Sequence, residues 1–214
     1  MRFRLLLFYL LYIFALELSA QSLSNETWTS FKAGAKLNKS LNVDIDQSWR
    51  FRNSVSKETF TELGFKIKIS KILGTFFNFR FRQNGNMFNT FSFENRFNFG
   101  FKIRTKKPKH HITFKSHYQT ENSDLYSQEF IKHSHLWRNK LEVIYKLKKR
   151  VRPYAGCESF LDISDKDAYI NKLRFYNGVR VKLKKRQELK AFAIFEKEVQ
   201  QANPKNTFVF GLCY

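Results

Sequence analysis

The chain has 214 residues, with 39 Lys and Arg against 18 Asp and Glu, which gives a formal net charge of +21. This length suits one domain with a sizeable buried surface and leaves little room for two. Aromatic residues make up 17% of the sequence, including 25 Phe, and this excess argues against a basic nucleic-acid-binding domain because so many rings need a place out of water.

The N-terminus predicts export. Arg2 and Arg4 precede an almost unbroken apolar stretch at 5–16, and Ala20 ends a Leu-Ser-Ala sequence. This is the layout of a cleavable signal peptide. The apolar stretch is about twelve residues long, and a retained membrane-spanning helix would need roughly twenty. We therefore predict a signal peptide at 1–20 and a single mature domain at 21–214.

The mature chain alternates apolar and polar residues with a period of two. The segment at 88–104 is the longest example, with Phe on one face and Ser, Glu, Arg, Asn and Lys on the other. Strict alternation of this kind predicts β-strands, because no helix would place these apolar residues on one face. The pattern marks eleven segments, at 26–37, 41–52, 59–70, 74–83, 88–104, 110–119, 134–148, 151–161, 169–183, 187–197 and 206–214.

The connections between these segments alternate between short basic turns, such as 38–40 and 148–150, and longer polar loops, such as 120–133 and 197–205. Short periplasmic turns and long outer loops are typical of outer-membrane barrels, and segments of ten or more residues suit tilted membrane strands. We therefore predict an all-β fold, an antiparallel transmembrane β-barrel of about 10–12 strands, rather than a soluble exported sandwich.

Aromatic residues near segment ends are expected to form the interfacial girdles of such a barrel. These residues are Trp28, Trp49, Trp137, Tyr118, Tyr169 and Tyr176. The last residues also alternate, and their pattern resembles the C-terminal signal read by the outer-membrane assembly machinery. The signal would consist of Phe208, Phe210, Leu212 and Tyr214. We expect this machinery and membrane lipid, either outer-membrane phospholipid or lipopolysaccharide, as partners, and a location in the outer membrane of a Gram-negative bacterium.

The number of strands is not settled by the pattern. Single-chain bacterial barrels usually have an even number of strands. If the short turns face the periplasm, segment 26–37 begins at the outer side, which is unexpected for a newly exported N-terminus. Two alternatives follow. Either 26–37 threads through or plugs the lumen and leaves ten strands, or one segment is miscounted and the barrel has twelve.

If the apolar face meets lipid, the polar face lines the lumen and carries many cations. The candidate anion contacts are Arg50, Arg52, Lys66, Lys68, Arg80, Arg82, Arg96, Lys102, Arg104, Arg174, Arg180 and Lys182, with Lys115 on the same face. The acids on that face are fewer, namely Asp44, Asp46, Glu62 and Glu94. This excess predicts an anion-preferring pore or an anionic-ligand site. The alternative is that these side chains pair and fill a narrow, closed interior.

No catalytic motif appears, and we expect no enzyme activity, cofactor, metal site or nucleic-acid partner. Five His lie within 110–135, and His133-Ser134-His135 falls in the predicted loop, so a lipid-modifying enzyme is a minor alternative. A structural or adhesive barrel that presents loop 120–133 to partners is another. Cys157 and Cys213 fall on non-neighbouring segments and are expected to be unpaired.

A succession of short motifs runs through most of the mature chain. They are Trp28-Thr29, the Lys-Leu-Asn-Lys-Ser-Leu turn at 36–41, Phe60-Thr61-Glu62-Leu63-Gly64, Trp137-Arg138-Asn139-Lys140-Leu141, Arg152-Pro153-Tyr154, Ile170-Asn171-Lys172-Leu173-Arg174 and Pro204-Lys205-Asn206-Thr207. In this order they resemble the DUF2490 family of uncharacterised outer-membrane proteins of Bacteroidetes-type bacteria. The resemblance implies an outer-membrane barrel and supplies no established activity or catalytic residues.

Overall fold

The computed structural model describes residues 22–52, 55–85, 91–124, 132–147, 150–164, 167–184, 187–200 and 204–214. The predicted signal peptide at 1–20 lies outside the described residues. No helix in the described part of the chain is long and apolar enough to cross a membrane.

The described residues form eleven strands, and each strand corresponds to one of the eleven alternating segments. The strands are β1 (Ser22–Lys36), β2 (Leu41–Arg52), β3 (Val55–Lys68), β4 (Leu73–Gly85), β5 (Phe91–Lys106), β6 (His110–Asp124), β7 (Lys132–Tyr145), β8 (Val151–Asp162), β9 (Tyr169–Lys184), β10 (Gln187–Glu198) and β11 (Lys205–Cys213). The largest difference from the predicted segments is at 120–133. Residues 120–124 extend β6, and His133-Ser134-His135 belongs to β7 rather than to a loop.

The strands close into one barrel in which every neighbouring pair is antiparallel except the closing pair of β1 and β11. That pair is parallel, with a register from Ser22 opposite Lys205 to Ser30 opposite Cys213. Both alternatives for the strand number are therefore wrong. Segment 26–37 is part of the wall, and the barrel has eleven strands. An odd number makes the first and last strands run in the same direction, so they can close the barrel only in parallel.

The C-terminal residue completes this closure. The Tyr214 backbone N–H donates to the Ser30 carbonyl at 3.0 Å, and the Lys32 N–H donates to the Tyr214 carbonyl at 2.7 Å. The Tyr214 ring also stacks on Phe31, with 5.9 Å between the ring centroids. Phe210 and Leu212 lie on the same outer face as Tyr214 and are 60% and 52% exposed.

The outer face of the barrel is an apolar band rich in Phe. Phe97 packs against Phe79 with 4.9 Å between ring centroids, and Phe99 is 62% exposed. Trp49 and Trp137 also lie exposed on this face. The girdle prediction is wrong for Trp28 and Tyr176, because both side chains point into the lumen, where Tyr176 is buried.

Large rings fit inside the narrow lumen because glycines stand opposite them on neighbouring strands. Tyr176 pairs with Gly156, and Phe192 pairs with Gly211. A Cβ at either glycine would collide with the facing ring, so the missing side chain lets the ring lie flat on the wall. The rings join a small apolar cluster around Tyr176, Ile194 and Val209.

Candidate anion-binding lumen

Aromatic rings and guanidinium groups alternate across the middle of the lumen. In order of contact they are Arg80, Phe60, Arg50, Trp28, Arg174, Phe160 and Arg138, from strands β4, β3, β2, β1, β9, β8 and β7. Each guanidinium carbon lies between 3.8 and 5.7 Å from the neighbouring ring centroid. We call these seven residues the central belt. Cation–π contacts of this kind are strongest away from water.

Carboxylates neutralise the guanidinium groups of the central belt. Glu158 is 3% exposed and accepts hydrogen bonds from Arg138 at 2.7 Å and Arg174 at 3.1 Å. Glu62 binds Arg80 at 2.6 Å. The other carboxylates at the belt are Glu58 and Glu196. Such charge-assisted bonds fix the geometry of each guanidinium, and a buried carboxylate that lost its partner would be costly.

The lumen on the long-loop side of the central belt forms a cavity of about 430 Å³, which we call the loop-end chamber. Nine Lys and Arg and five Glu line it. Eight of the nine cations form ion pairs, and Lys205 is the exception among the described residues; for example, Arg52 binds Glu26 at 2.7 Å, and Arg96 binds Glu121 at 2.9 Å. Glu121, which falls in the predicted surface loop, is thus a wall residue that faces the lumen.

Two connected cavities of about 430 and 410 Å³ lie on the other side of the belt, and we call them together the turn-end chamber. They share five basic lining residues, Lys32, Lys66, Lys102, Arg104 and Lys115. The second cavity is lined by Ser70, Lys71 and Ile72 of a short turn, so the chamber extends to the short-turn end of the barrel.

The turn-end chamber has a large excess of positive charge. Its first cavity is lined by eleven Lys and Arg, of which three belong to the central belt, and by two acids, Asp46 and Glu142. Within the described part of the chain, no ion pair is formed by Lys102, Arg104, Lys115 or Lys140. The buried Arg104 Nε and Thr113 Oγ1 atoms also have no hydrogen-bond partner among those residues.

The wall opposite these cations is aromatic. Tyr154, Tyr176, Phe192 and Ile194, from β8, β9 and β10, line the same cavity. The Lys140 ammonium lies 4.1 Å from the Tyr176 ring centroid, where the two walls meet. The chamber can therefore hold a molecule with an anionic part and a flat or apolar part.

The structure places eleven of the twelve predicted anion contacts in the walls of the two chambers. Lys182 is the exception, because it is exposed near the end of β9, where it pairs in register with Glu188. Lys115 lines the turn-end chamber as predicted.

Several lumenal residues were not among the predicted contacts. They are the cations Lys32, Arg138, Lys140, Lys172 and Lys190 and the acids Glu26, Glu58, Glu121, Glu142, Glu158 and Glu196. The signal for three of them was present in the sequence, because Arg138, Lys140 and Glu142 occupy alternate positions of one segment.

The described His residues lie on β6 and β7, and the two Cys residues lie on β8 and β11. Ser134 and His135 are adjacent in β7 and so point to opposite faces, and His135 Nδ1 is hydrogen-bonded to the Tyr118 hydroxyl at 2.6 Å. No group of His, Cys, Asp and Glu among the described residues could hold a metal ion. Cys157 is exposed on the outer face, Cys213 lines the turn-end chamber, and both are unpaired as expected.

The chain matches a family model described as "Protein of unknown function (DUF2490)" over residues 25–207. The chain belongs to the DUF2490 family. No curated protein matches it. Among solved structures, this DUF2490 barrel is similar to a bacterial polysaccharide outer membrane secretin, with a TM-score of 0.53 and 8% identity. That match covers 83% of this chain and 64% of the secretin chain. The beta domain of the Bordetella autotransporter BrkA gives a TM-score of 0.48 and 10% identity, with 83% of each chain covered.

Proposed function

We propose that this DUF2490 protein is an outer-membrane barrel that binds an anionic ligand in its turn-end chamber. The observation that carries the proposal is the difference between the two chambers. Eight of the nine cations that line the loop-end chamber form ion pairs with Glu side chains. In the turn-end chamber, by contrast, Lys102, Arg104, Lys115 and Lys140 form no ion pair among the described residues. Crowded, unmatched cations in a cavity walled by protein create a positive potential that attracts anions.

The membrane location is supported by the outer face and by the fold. A continuous band of exposed Phe, Ile, Leu and Val would be unfavourable in water and suits hydrocarbon. The similarity in fold to an outer-membrane secretin points the same way. We propose that membrane lipid surrounds this band, that the assembly machinery inserts the barrel, and that the short turns face the periplasm. The ligand would then enter from the periplasm.

Binding is better supported than conduction. The central belt stands between the two chambers, and Trp28, Arg50, Arg80 and Arg174 line both of them. Ion pairs and ring contacts hold these side chains in place, so an ion would have to displace them to cross. We therefore propose a closed lumen in which the chamber serves binding rather than transport or catalysis.

Calorimetric titration of the folded protein in detergent with citrate tests this proposal, because citrate is a multivalent anion without phosphate. We expect saturable binding that weakens as NaCl is raised, since salt screens the attraction. The double variant Lys102→Gln/Arg104→Gln should bind citrate more weakly by roughly a hundredfold or more, because each lost charge-assisted hydrogen bond contributes about 1.5–3 kcal/mol.

Arg52→Gln is the matched control, because Arg52 lines the loop-end chamber. It should leave citrate affinity unchanged. Both variants should keep the gel-mobility difference between unheated and boiled protein that marks a folded barrel. Absence of citrate binding by the wild-type protein, or equal loss in the control, would overturn the proposed function.

A further inference from the structure

Three lysines stand directly opposite one another on three consecutive strands of the turn-end chamber. Lys102 of β5 pairs with Lys115 of β6, and Lys115 pairs with Lys140 of β7. Directly opposite residues of antiparallel strands have Cβ atoms about 4.5–5.5 Å apart, and like charges in such positions destabilise a sheet. We call these residues the lysine triad. Its presence requires a compensating interaction.

Elsewhere in the lumen, Glu side chains neutralise like charges that face each other on neighbouring strands. Arg80 and Arg96 are also directly opposite, but Glu62 binds Arg80 at 2.6 Å and Glu121 binds Arg96 at 2.9 Å. In the described part of the chain no carboxylate forms an ion pair with the lysine triad, and Glu142, which lines the same cavity, binds Arg180 at 2.8 Å. The ammonium groups of Lys115 and Lys140 lie over aromatic rings, which do not neutralise their charge. Glu158 stands opposite Lys140, but its two carboxylate oxygens already accept hydrogen bonds from Arg138 and Arg174.

Two more donors without acceptors lie beside the triad. Arg104 and Thr113 are directly opposite each other, two residues further along β5 and β6. The Arg104 Nε atom and the Thr113 hydroxyl are buried and have no hydrogen-bond partner among the described residues. On the neighbouring strand β4, the residue directly opposite Lys102 is Gly74, which has no side chain to contact Lys102. The site thus combines several donors, a high positive charge and free space.

We propose that the lysine triad, with Arg104 and Thr113, binds a phosphate monoester group. A phosphate monoester carries about 1.5 to 2 negative charges at neutral pH and three strong acceptor oxygens. A carboxylate would neutralise one ammonium and leave the others unmatched. This inference rests on the proposed function, because it names the ligand class of the same chamber.

The aromatic wall defines the rest of the ligand. Tyr154, Tyr176 and Phe192 face the cationic wall across the cavity, so a ring joined to the phosphate would have a flat surface to pack against. The ligand class is therefore an organic phosphate monoester with a ring close to the phosphate. Its source is either a phosphorylated lipid headgroup or a soluble phosphate ester.

Titration of the folded wild-type protein with three small probes tests the ligand class. Phenyl phosphate has both parts, methyl phosphate lacks the ring, and benzoate lacks the phosphate. We expect phenyl phosphate to bind most tightly and benzoate least tightly. Short-chain phosphatidylinositol 4-phosphate, a lipid whose headgroup carries a phosphate monoester on a ring, is added to the micelles to distinguish the sources. Competition with phenyl phosphate would identify a lipid headgroup, and absence of competition a soluble ester.

Lys115→Gln tests the triad, since Lys115 is its middle residue. Affinity for phenyl phosphate should fall roughly tenfold. Without ligand, the variant should unfold at a higher temperature than the wild type, because the repulsion is relieved. Lys172→Gln, a lysine of the loop-end chamber that binds Glu196 at 3.4 Å, is the control and should leave the affinity unchanged.

A lower unfolding temperature together with unchanged affinity in Lys115→Gln would overturn the phosphate site, because it would show a structural role. Citrate binding without any preference of the wild type for phenyl phosphate over benzoate would also overturn it and leave the proposed function standing. Failure of every anion to bind would overturn both.

Discussion

Glu158 shows how much a single side chain does in the central belt. Its carboxylate joins the guanidinium groups of Arg138 and Arg174, and both of these pack on the Phe160 ring. Buried charges of this kind need complete pairing, because an unmatched charge in the interior is strongly destabilising. The belt therefore depends on its acids as much as on its cations.

Glu158→Gln should lower the free energy of unfolding by about 3 kcal/mol, because it leaves the half-buried Arg138 guanidinium without a carboxylate and removes one of the two carboxylates that bind Arg174. Equilibrium unfolding in urea, in detergent, measures the change. Glu188→Gln is the control, since Glu188 forms no ion pair with the described residues, and it should change the free energy by less than about 0.5 kcal/mol. Equal effects of the two substitutions would contradict this role of the belt.

For a single side chain, the sequence predicts which face of the barrel it occupies but not which side chain it contacts. Alternation alone places Arg80 and Lys115 on the lumenal face. Their difference comes from strand register, which brings Glu62 to Arg80 and two lysines to Lys115. Trp28 was assigned to a girdle because it is close to a segment end, although it lies four residues before Lys32 in the same segment and so shares the face of that cation.

Among the elements, β1 and β11 are the pair that sequence reasoning could not join. Each alternating segment identifies a strand, because alternation is a local property of consecutive residues. Closure joins residues more than 180 positions apart, such as Ser24 and Thr207, whose hydroxyl oxygens lie 3.0 Å apart. The expectation of an even strand number came from other barrels. The parallel pairing of β1 with β11, which we call the parallel seam, closes a barrel that has an odd number of strands.

The parallel seam predicts a disulfide that can be formed with one substitution. Ser30 is directly opposite the native Cys213, so Ser30→Cys in a Cys157→Ala background should cross-link to it under mild oxidation. Cα atoms of paired strand residues lie within the range that a disulfide bridges. Faster migration of the boiled, non-reduced protein on a denaturing gel would report the bond.

Ser24→Cys in the same background is the control, because its partner in the seam is Thr207 and six residues separate it from the position opposite Cys213. It should remain unlinked. Cross-linking by Ser24→Cys and none by Ser30→Cys would contradict the register of β1 against β11.

For the whole molecule, the polarity of the two faces follows directly from the sequence, whereas the difference between the two ends of the lumen does not. The alternation separates an apolar outer face from a charged lumen. The excess of cations is a property of the entire lumenal face in the sequence. Only the fold divides that face at the central belt and leaves most of the unmatched charge on the short-turn side.

A closed lumen with a basic chamber that opens to the periplasm is tested most directly through the native Cys213 thiol. In a Cys157→Ala background, cells are treated with a negatively charged, membrane-impermeant methanethiosulfonate. We expect Cys213 to react only after the outer membrane is permeabilised, because Cys213 lines the turn-end chamber below the belt. Thr207→Cys in a Cys157→Ala/Cys213→Ala background places a thiol in the loop-end chamber, and this thiol should react in intact cells. Modification of Cys213 in intact cells as fast as that of the Thr207→Cys thiol would contradict the account.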